Sequence, residues 1–345
     1  MESVPIAICA GRKVKMKKTI YVFSNGELKR QQNTLYFEGE KGRKYLPVEN
    51  VAEFMIFGEV SINKKLLEFL TQQEIILHFF NHYGYYVGTY YPREHYNSGY
   101  MILKQAEYYM DKEKRLNLAK KFVDGGIANM LKVLTYYQHR GSSLENHINT
   151  IADLQQNVHS QDTIEQLMAI EGNVRDCYYD AFNEIIKSEE FAFEKRTKRP
   201  PKSKINALIS FGNGLLYTVA LGEIYKTHLD PRIGFLHATN FRRFTLNLDV
   251  TEIFKPIIVD RTIFYLLNKQ MLNENHFMKE LNRVYLNEKG RAIFVEEFEK
   301  KLKATIRHDK LKRNVSYRRL IRMELYKIEK HLMGEQQYKP FIARW

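Results

Sequence analysis

The stretch Tyr91-Pro92-Arg93-Glu94-His95-Tyr96-Asn97-Ser98-Gly99 divides two kinds of sequence grammar. Upstream of it, short apolar-polar alternations are punctuated by turn residues, the period expected of half-buried strands. Thr19–Ser24 is followed by the turn pair Asn25-Gly26 and a returning segment that reaches Gln31, the pattern of a hairpin. Thr34–Glu38, Lys44–Val48, Val51–Phe57, Ile75–Phe80 and Tyr85–Tyr91 continue the alternation. One helix interrupts it, with Leu66, Leu67 and Leu70 at helical spacing behind Ser61 or Asn63 as a cap. Downstream, long 3.6-period segments take over: Tyr100–Val123, Ile127–Gln138, Leu144–Gln156, Ser160–Lys187, Lys204–Tyr225, Val250–Asn268, Glu288–His308 and Ser316–Met333. The expected fold is therefore α+β, a small N-terminal β-rich domain of sandwich type followed by a larger all-α domain. Residues 1–15 read as an extension, because Met16-Lys17-Lys18 opens the first clear strand. The β-rich domain then spans 16–91, a linker 92–99, and the helical domain 100–345. Within the helices, Lys195–Lys204 carries six basic residues and the pair Pro200-Pro201, and reads as an exposed, mobile connection.

A chain of 345 residues with 44% hydrophobic content can bury sizeable cores, which excludes a disordered class. Its 54 Lys and Arg against 40 Asp and Glu leave a net charge of +14, pointing to a polyanionic partner. Cys9 and Cys177 have no Cys-x-x-Cys neighbour, so neither a disulfide framework nor a thiolate zinc site is expected, and the reading is a reducing cytoplasm. No run reads as approaching the roughly 18 consecutive apolar residues of a spanning helix, so no membrane association is expected.

Three separated places supply ligands for a hard cation: Glu171, His237, and the pair Asp249 and Glu252, whose spacing puts both on one helix face. If they converge, the result is an oxygen-rich site with one imidazole, a set suited to Mn²⁺ or Mg²⁺. Each residue also has a structural reading. Asp249 and Glu252 have the spacing of a helix-capping pair, His237 follows an apolar tetrapeptide as a core histidine does, and Glu171 alone reads as a solvated helix residue. Among the basic residues, Lys300–Arg322 holds ten Lys and Arg against the single acid Asp309, and Arg318, Arg319 and Arg322 ride on a helix whose other face is apolar. They are candidates for phosphate contact, as are Arg242 and Arg243 between His237 and Asp249. The tyrosines around Tyr83–Tyr91 read as core or interface rather than as base-stacking platforms.

Taken together these segments resemble a known family, the CRISPR-associated spacer-acquisition integrases (Cas-one, or Cas1), in the form found with type I systems. The likeness rests on Glu171-Gly172-Asn173 through Tyr178, on Leu229-Asp230-Pro231-Arg232-Ile233-Gly234-Phe235-Leu236-His237, and on Arg242-Arg243-Phe244-Thr245-Leu246-Asn247-Leu248-Asp249 through Glu252, Lys255-Pro256 and Asp260-Arg261. Asn81 to Gly88, Pro92-Arg93-Glu94 and the ending Tyr338-Lys339-Pro340-Phe341 extend it over most of the chain. Departures are His82 where a tyrosine is usual and Ser210 where an asparagine is. What the resemblance implies is a metal-dependent DNA endonuclease and integrase that inserts spacer DNA into a CRISPR array by transesterification, in antiviral defence. It places metal ligands at Glu171, His237 and Glu252, a further catalytic acid at Asp249 that either binds the metal directly or supports the site, and DNA contacts at Arg175 and Tyr178. It also implies a homodimer through the β-rich domain, a companion Cas-two (Cas2) protein, and double-stranded or branched DNA as substrate. The competing reading is a non-catalytic basic DNA-binding protein whose acids are structural.

Overall fold

The computed structural model describes residues 17–344 apart from 41, 93–95, 97, 240–243 and 310. The N-terminal extension, Arg242 and Arg243 lie outside the described residues. The chain divides into two compact units, Met1–His82 with Tyr86–Arg93, and Tyr83–Tyr85 with Glu94–Trp345.

In the first unit, strands β1 (Lys18–Val22), β2 (Gly26–Gln31), β3 (Thr34–Gly39), β4 (Gly42–Pro47), β5 (Val51–Ile56), β6 (Val60–Ser61), β7 (Ile76–Phe80) and β8 (Tyr86–Tyr90) form two four-stranded sheets. Their orders are β1-β5-β7-β8 and β4-β3-β2-β6. Helix α1 (Lys64–Gln72) starts at Asn63, whose side chain accepts the Leu66 amide at 3.0 Å. Leu28 and Leu35 from one sheet, Phe54 and Leu77 from the other, and Leu66 and Leu70 from α1 meet in a single buried cluster. Asn25-Gly26 does not close a hairpin. β1 runs parallel to β5, and β2 pairs with β3 and β6, so the Asn-Gly pair carries the chain from one sheet to the other.

The second unit is built from α2 (Gly99–Met110), α3 (Lys112–Gln138), α4 (Glu145–Gln156), α5 (Ile164–Asp180), α6 (Phe182–Ile186), α7 (Lys204–Ile224), α8 (Leu246–Lys255), α9 (Arg261–Asn268), α10 (Glu288–Lys303) and α11 (Tyr317–Leu332). The helix break expected near Gly125-Gly126 falls instead at Asp111, whose side chain caps α3 by accepting the Lys114 amide at 3.0 Å. α3 continues through its glycine pair because that face packs against α8. Two hairpins stand among the helices: β9 (Phe277–Glu280) with β10 (Arg283–Leu286), and β11 (Thr305–His308) with β12 (Arg313–Ser316). The fold class is that read from the sequence, with these two ribbons added. In the first, Leu281 and Asn282 both take positive φ, as the tight two-residue turn requires.

α7 lacks any Asp, Glu, Lys or Arg from Ile205 to Gly222, so by length and composition it could cross a membrane, contrary to the expectation that no segment would come near that length. Here 83% of its apolar window is buried inside the protein, which marks it as the central helix of the unit.

Candidate active site

α8 begins the site. Asp249, Glu252 and Lys255 recur every three residues and share one face of the helix. Pro256 follows at once, and a proline has no N–H to donate to the carbonyl four residues back. The helix answers by widening into a π turn over Pro256–Asp260 before resuming as α9. The carbonyls so released point at α3. The Glu252 carbonyl oxygen would stand 3.2 Å from a Cβ on Gly126, and the Ile253 carbonyl accepts the Asn129 amide at 2.9 Å.

Asp249 is fully buried and organises the loop that carries His237. One carboxylate oxygen accepts the backbone amides of Phe235 at 2.5 Å and Leu236 at 3.0 Å; the other accepts the His237 amide at 3.0 Å and faces His237 Nδ1 at 2.8 Å. A side chain on Gly234 would place its Cβ 2.7 Å from the same carboxylate, so only glycine lets the loop close this tightly. From outside, Gln105 holds the Asp230 and Ile233 carbonyls and Arg115 the Phe235 carbonyl at 2.8 Å. The loop is therefore rigid at His237. With Nδ1–H donated to Asp249, the neutral imidazole keeps its lone pair on Nε2. Burial alone would lower the His237 pKa, but the Asp249 hydrogen bond and the charges of Asp249 and Glu252 raise it above its ordinary value.

Glu171 and Arg175 stand one turn apart on α5, a helix started by a capping box at Thr163. Arg175 Nε donates to Glu171 Oε1 at 2.6 Å, and its terminal nitrogen pairs with Glu252 Oε2. Lys255 Nζ donates to the other Glu252 oxygen at 2.5 Å while lying 4.9 Å from the centre of the Tyr217 ring. Burial would raise the Glu252 pKa, yet Arg175 and Lys255 hold it at about 2. Glu252 is 7% exposed, Glu171 21% and His237 28%, so the cluster opens to solvent on the Glu171 and His237 side.

The structure thus brings Glu171 and Glu252 together on one cation, the Arg175 guanidinium. Among the described residues no group of three His, Cys, Asp or Glu is arranged to hold a metal ion, and His237 reaches Glu252 through its charge rather than by contact. The donor set still suits a divalent ion, since two carboxylates already converge on positive charge and one imidazole is locked with its second nitrogen available. Both oxygens of Asp249 are taken up by the Phe235–His237 loop.

The remaining candidates fall in different places. Tyr178 is fully buried beside Asp260 and presents no surface to DNA. Arg322 is drawn into an ion pair with the buried Glu223 at 2.5 Å, Arg318 pairs with Glu299 at 3.1 Å, and Arg319 is exposed. Sequence reading quoted Lys255 without giving it a role, and missed Gly126 and Asn129. The Lys-Pro pair at 255–256 was the available signal for Lys255.

The sequence profile of the family described as CRISPR associated protein Cas1 matches residues 20–300. A CRISPR-associated endonuclease Cas1 of Thermodesulfovibrio yellowstonii is 62% identical over 330 residues, covering 96% of this chain and all of the relative. The solved structure of a Cas1 protein from Thermotoga maritima superposes with a TM-score of 0.84 at 48% identity, over 94% of this chain and 99% of that one. A casposase bound to its integration product shares the fold at 20% identity, with a TM-score of 0.84 over 96% of each chain. On this coverage and identity the chain belongs to the Cas1 family of CRISPR-associated endonucleases.

Proposed function

We propose that this chain is a metal-dependent DNA endonuclease and integrase that inserts spacer DNA into a CRISPR array, with Glu171, His237 and Glu252 as the residues that hold Mn²⁺ or Mg²⁺. The observation that carries the reading is the convergence of Glu171 and Glu252 on a single positive charge beside an imidazole that Asp249 orients. A bound divalent ion would polarise a phosphoryl oxygen and lower the pKa of a hydroxyl or water next to it. The chain's own residues prepare for it. Arg175 and Lys255 keep Glu252 ionised down to about pH 2, so a cation meets it without displacing a proton. Asp249 keeps His237 in the tautomer that can act as a ligand and holds its loop in place. In the reaction, the 3′ hydroxyl of a DNA fragment attacks a phosphodiester at the edge of a repeat. One P–O bond forms, another breaks, and the departing strand leaves with a 3′ hydroxyl; with water as nucleophile the same step is hydrolytic nicking.

Supporting this reading are the endonuclease names of close relatives and a casposase neighbour bound to an integration product. The proposed assembly is a homodimer through the β-rich unit, joined to a Cas2 protein on double-stranded or branched DNA. It would act in the cytoplasm as part of a type I system. The competing non-catalytic reading draws on the Arg175 ion pairs, which satisfy both glutamates without a metal.

A strand-cleavage and strand-transfer assay on branched DNA with Mn²⁺ separates the two. Wild type is expected to be active, and Glu171→Ala, His237→Ala and Glu252→Ala to lose at least about 100-fold, the usual scale for removing a metal ligand or its close support. Equal activity in all four proteins, or none in wild type, removes the enzymatic reading.

A further inference from the structure

Two contacts join α5 and α6 to α8 and α9, and an unmatched polar pair lies between them. At one end Arg175 meets Glu252; at the other the Phe182 ring packs edge-on against Phe264, with centroids 4.6 Å apart. Between these contacts Tyr178 stands one turn before Phe182, and Asp260 one turn before Phe264. Tyr178 is fully buried and Asp260 is 2% exposed. Among the described residues, neither the Tyr178 hydroxyl nor Asp260 Oδ1 has a hydrogen-bond partner. A buried carboxylate oxygen in that state is unfavourable and calls for a donor.

One cation nearby has to change partners if the glutamates bind a metal. Arg175 Nε donates to Glu171 Oε1 at 2.6 Å, and its terminal nitrogen pairs with Glu252 Oε2. A divalent ion entering between Glu171 and Glu252 takes those oxygens, and its charge repels a guanidinium held against them. The other cations that act on Asp260, Lys255 and Arg196, are anchored elsewhere. Lys255 keeps the second Glu252 oxygen at 2.5 Å and lies over the Tyr217 ring. Arg196, in the stretch read from sequence as mobile, is pinned to α7 by Asn206 Oδ1 at 2.8 Å and Ser210 Oγ at 3.0 Å. Of the three, only Arg175 loses its acceptors. Tyr178 lies one turn along α5 from it, about 5.4 Å, within the swing of an arginine side chain. Among the charges that act on Asp260, that of Arg175 is also the largest.

We propose that Asp260 receives the Arg175 guanidinium when a divalent ion takes Glu171 and Glu252, so that one buried cation exchanges acids instead of being stranded beside the metal. Asp260 is then a positioning residue that acts through Arg175. The inference rests on the metal-binding reading of the site, and the test keeps the two apart. Mn²⁺ affinity is measured without DNA, from the electron paramagnetic resonance signal of the free ion, for wild type, Asp260→Asn, Arg175→Gln and the double variant. The measurement is made at pH 8, above the Asp260 value of about 7. Asp260→Asn is expected to weaken Mn²⁺ binding about tenfold, the scale of one hydrogen-bonded charge pair, and less than about twofold in the Arg175→Gln background. An acid that only supports the fold, or attracts the metal by its own charge, weakens binding equally in both backgrounds. Equal losses, or none in either, therefore overturn the exchange and leave the metal site standing, whereas no binding by wild type removes both. A crystal structure of wild type with Mn²⁺ tests the exchange without any variant. Arg175 is expected within hydrogen-bonding distance of the Asp260 carboxylate, and a guanidinium that stays on the glutamates or turns to solvent overturns the proposal.

Discussion

Asp249 is the residue on which the geometry of the site most depends. Its two oxygens receive three backbone amides and one imidazole N–H, none of which has another partner to turn to in a buried loop. Asp249→Asn presents an N–H₂ to donors on one side, so we expect a loss of roughly 3 kcal/mol in the metal-free protein, read from urea unfolding. A direct metal ligand behaves in the opposite way, since removing a ligand from an empty site relieves charge; an unchanged or higher unfolding midpoint would therefore refute the supporting role. The residue types were legible in sequence, and so was the shared face of Asp249 and Glu252. Their division of labour was not. Spacing along a helix says which side chains are neighbours, but not that a loop twelve residues upstream folds back onto one of them. Arg175 illustrates the same gap: its four-residue spacing from Glu171 is visible, whereas its contact with Glu252 requires α5 and α8 to meet. Tyr178 looked available for DNA because sequence cannot show that its face of α5 points inward.

At the level of elements, the site is set by how closely α3 approaches α8. Gly125 leaves room for Pro340, whose ring would stand 2.5 Å from a Cβ there, and Gly126 leaves room for the Glu252 backbone. Asn129, one turn on, ties α8 to the C-terminal segment by donating to the Ile253 and Phe341 carbonyls, each at 2.9 Å, and accepting the Ala343 amide at 2.8 Å. Read alone, the glycine pair suggested a break between two helices, because glycine inside a helix costs about 1 kcal/mol and exposes backbone. In the fold that cost is offset by packing that no larger residue permits. The hairpins escaped for a different reason, as strands of four residues give too few alternations to show a period of two. Gly126→Val is expected to push α8 outward, costing about 1–3 kcal/mol in thermal or urea unfolding and displacing Glu252 from Arg175. A variant as stable and as active as wild type would show that the close approach is incidental.

Over the whole molecule, stability and pH are linked through a buried acid that the site does not use as a ligand. Asp260, at the end of the π turn, has one carboxylate oxygen without a hydrogen-bond partner among the described residues. Burial raises its pKa from 3.8 to about 7, with the Arg175 charge, the Tyr178 hydroxyl and the charges of Lys255 and Arg196 acting as a partial brake. The sign follows from linkage. Below pH 3.8 the group is protonated in both folded and unfolded chains and costs nothing. Between there and about pH 7 the unfolded chain releases the proton while the folded one retains it, so stability falls as pH rises. Above about 7 both forms are ionised and the penalty levels off at roughly 4 kcal/mol, the product of the shift and the free energy of one pKa unit. Asp260→Asn removes the titration while keeping the shape. Melting temperatures of the two proteins are therefore expected to lie close together near pH 4, to separate in favour of the variant up to about pH 7, and to run parallel above it. The other titrations of this +14 chain, its histidines included, are common to both proteins and drop out of the difference. A gap that stays constant from pH 4 to 8 would mean that Asp260 is ionised in the folded state throughout, held by the cations around the site rather than by its burial.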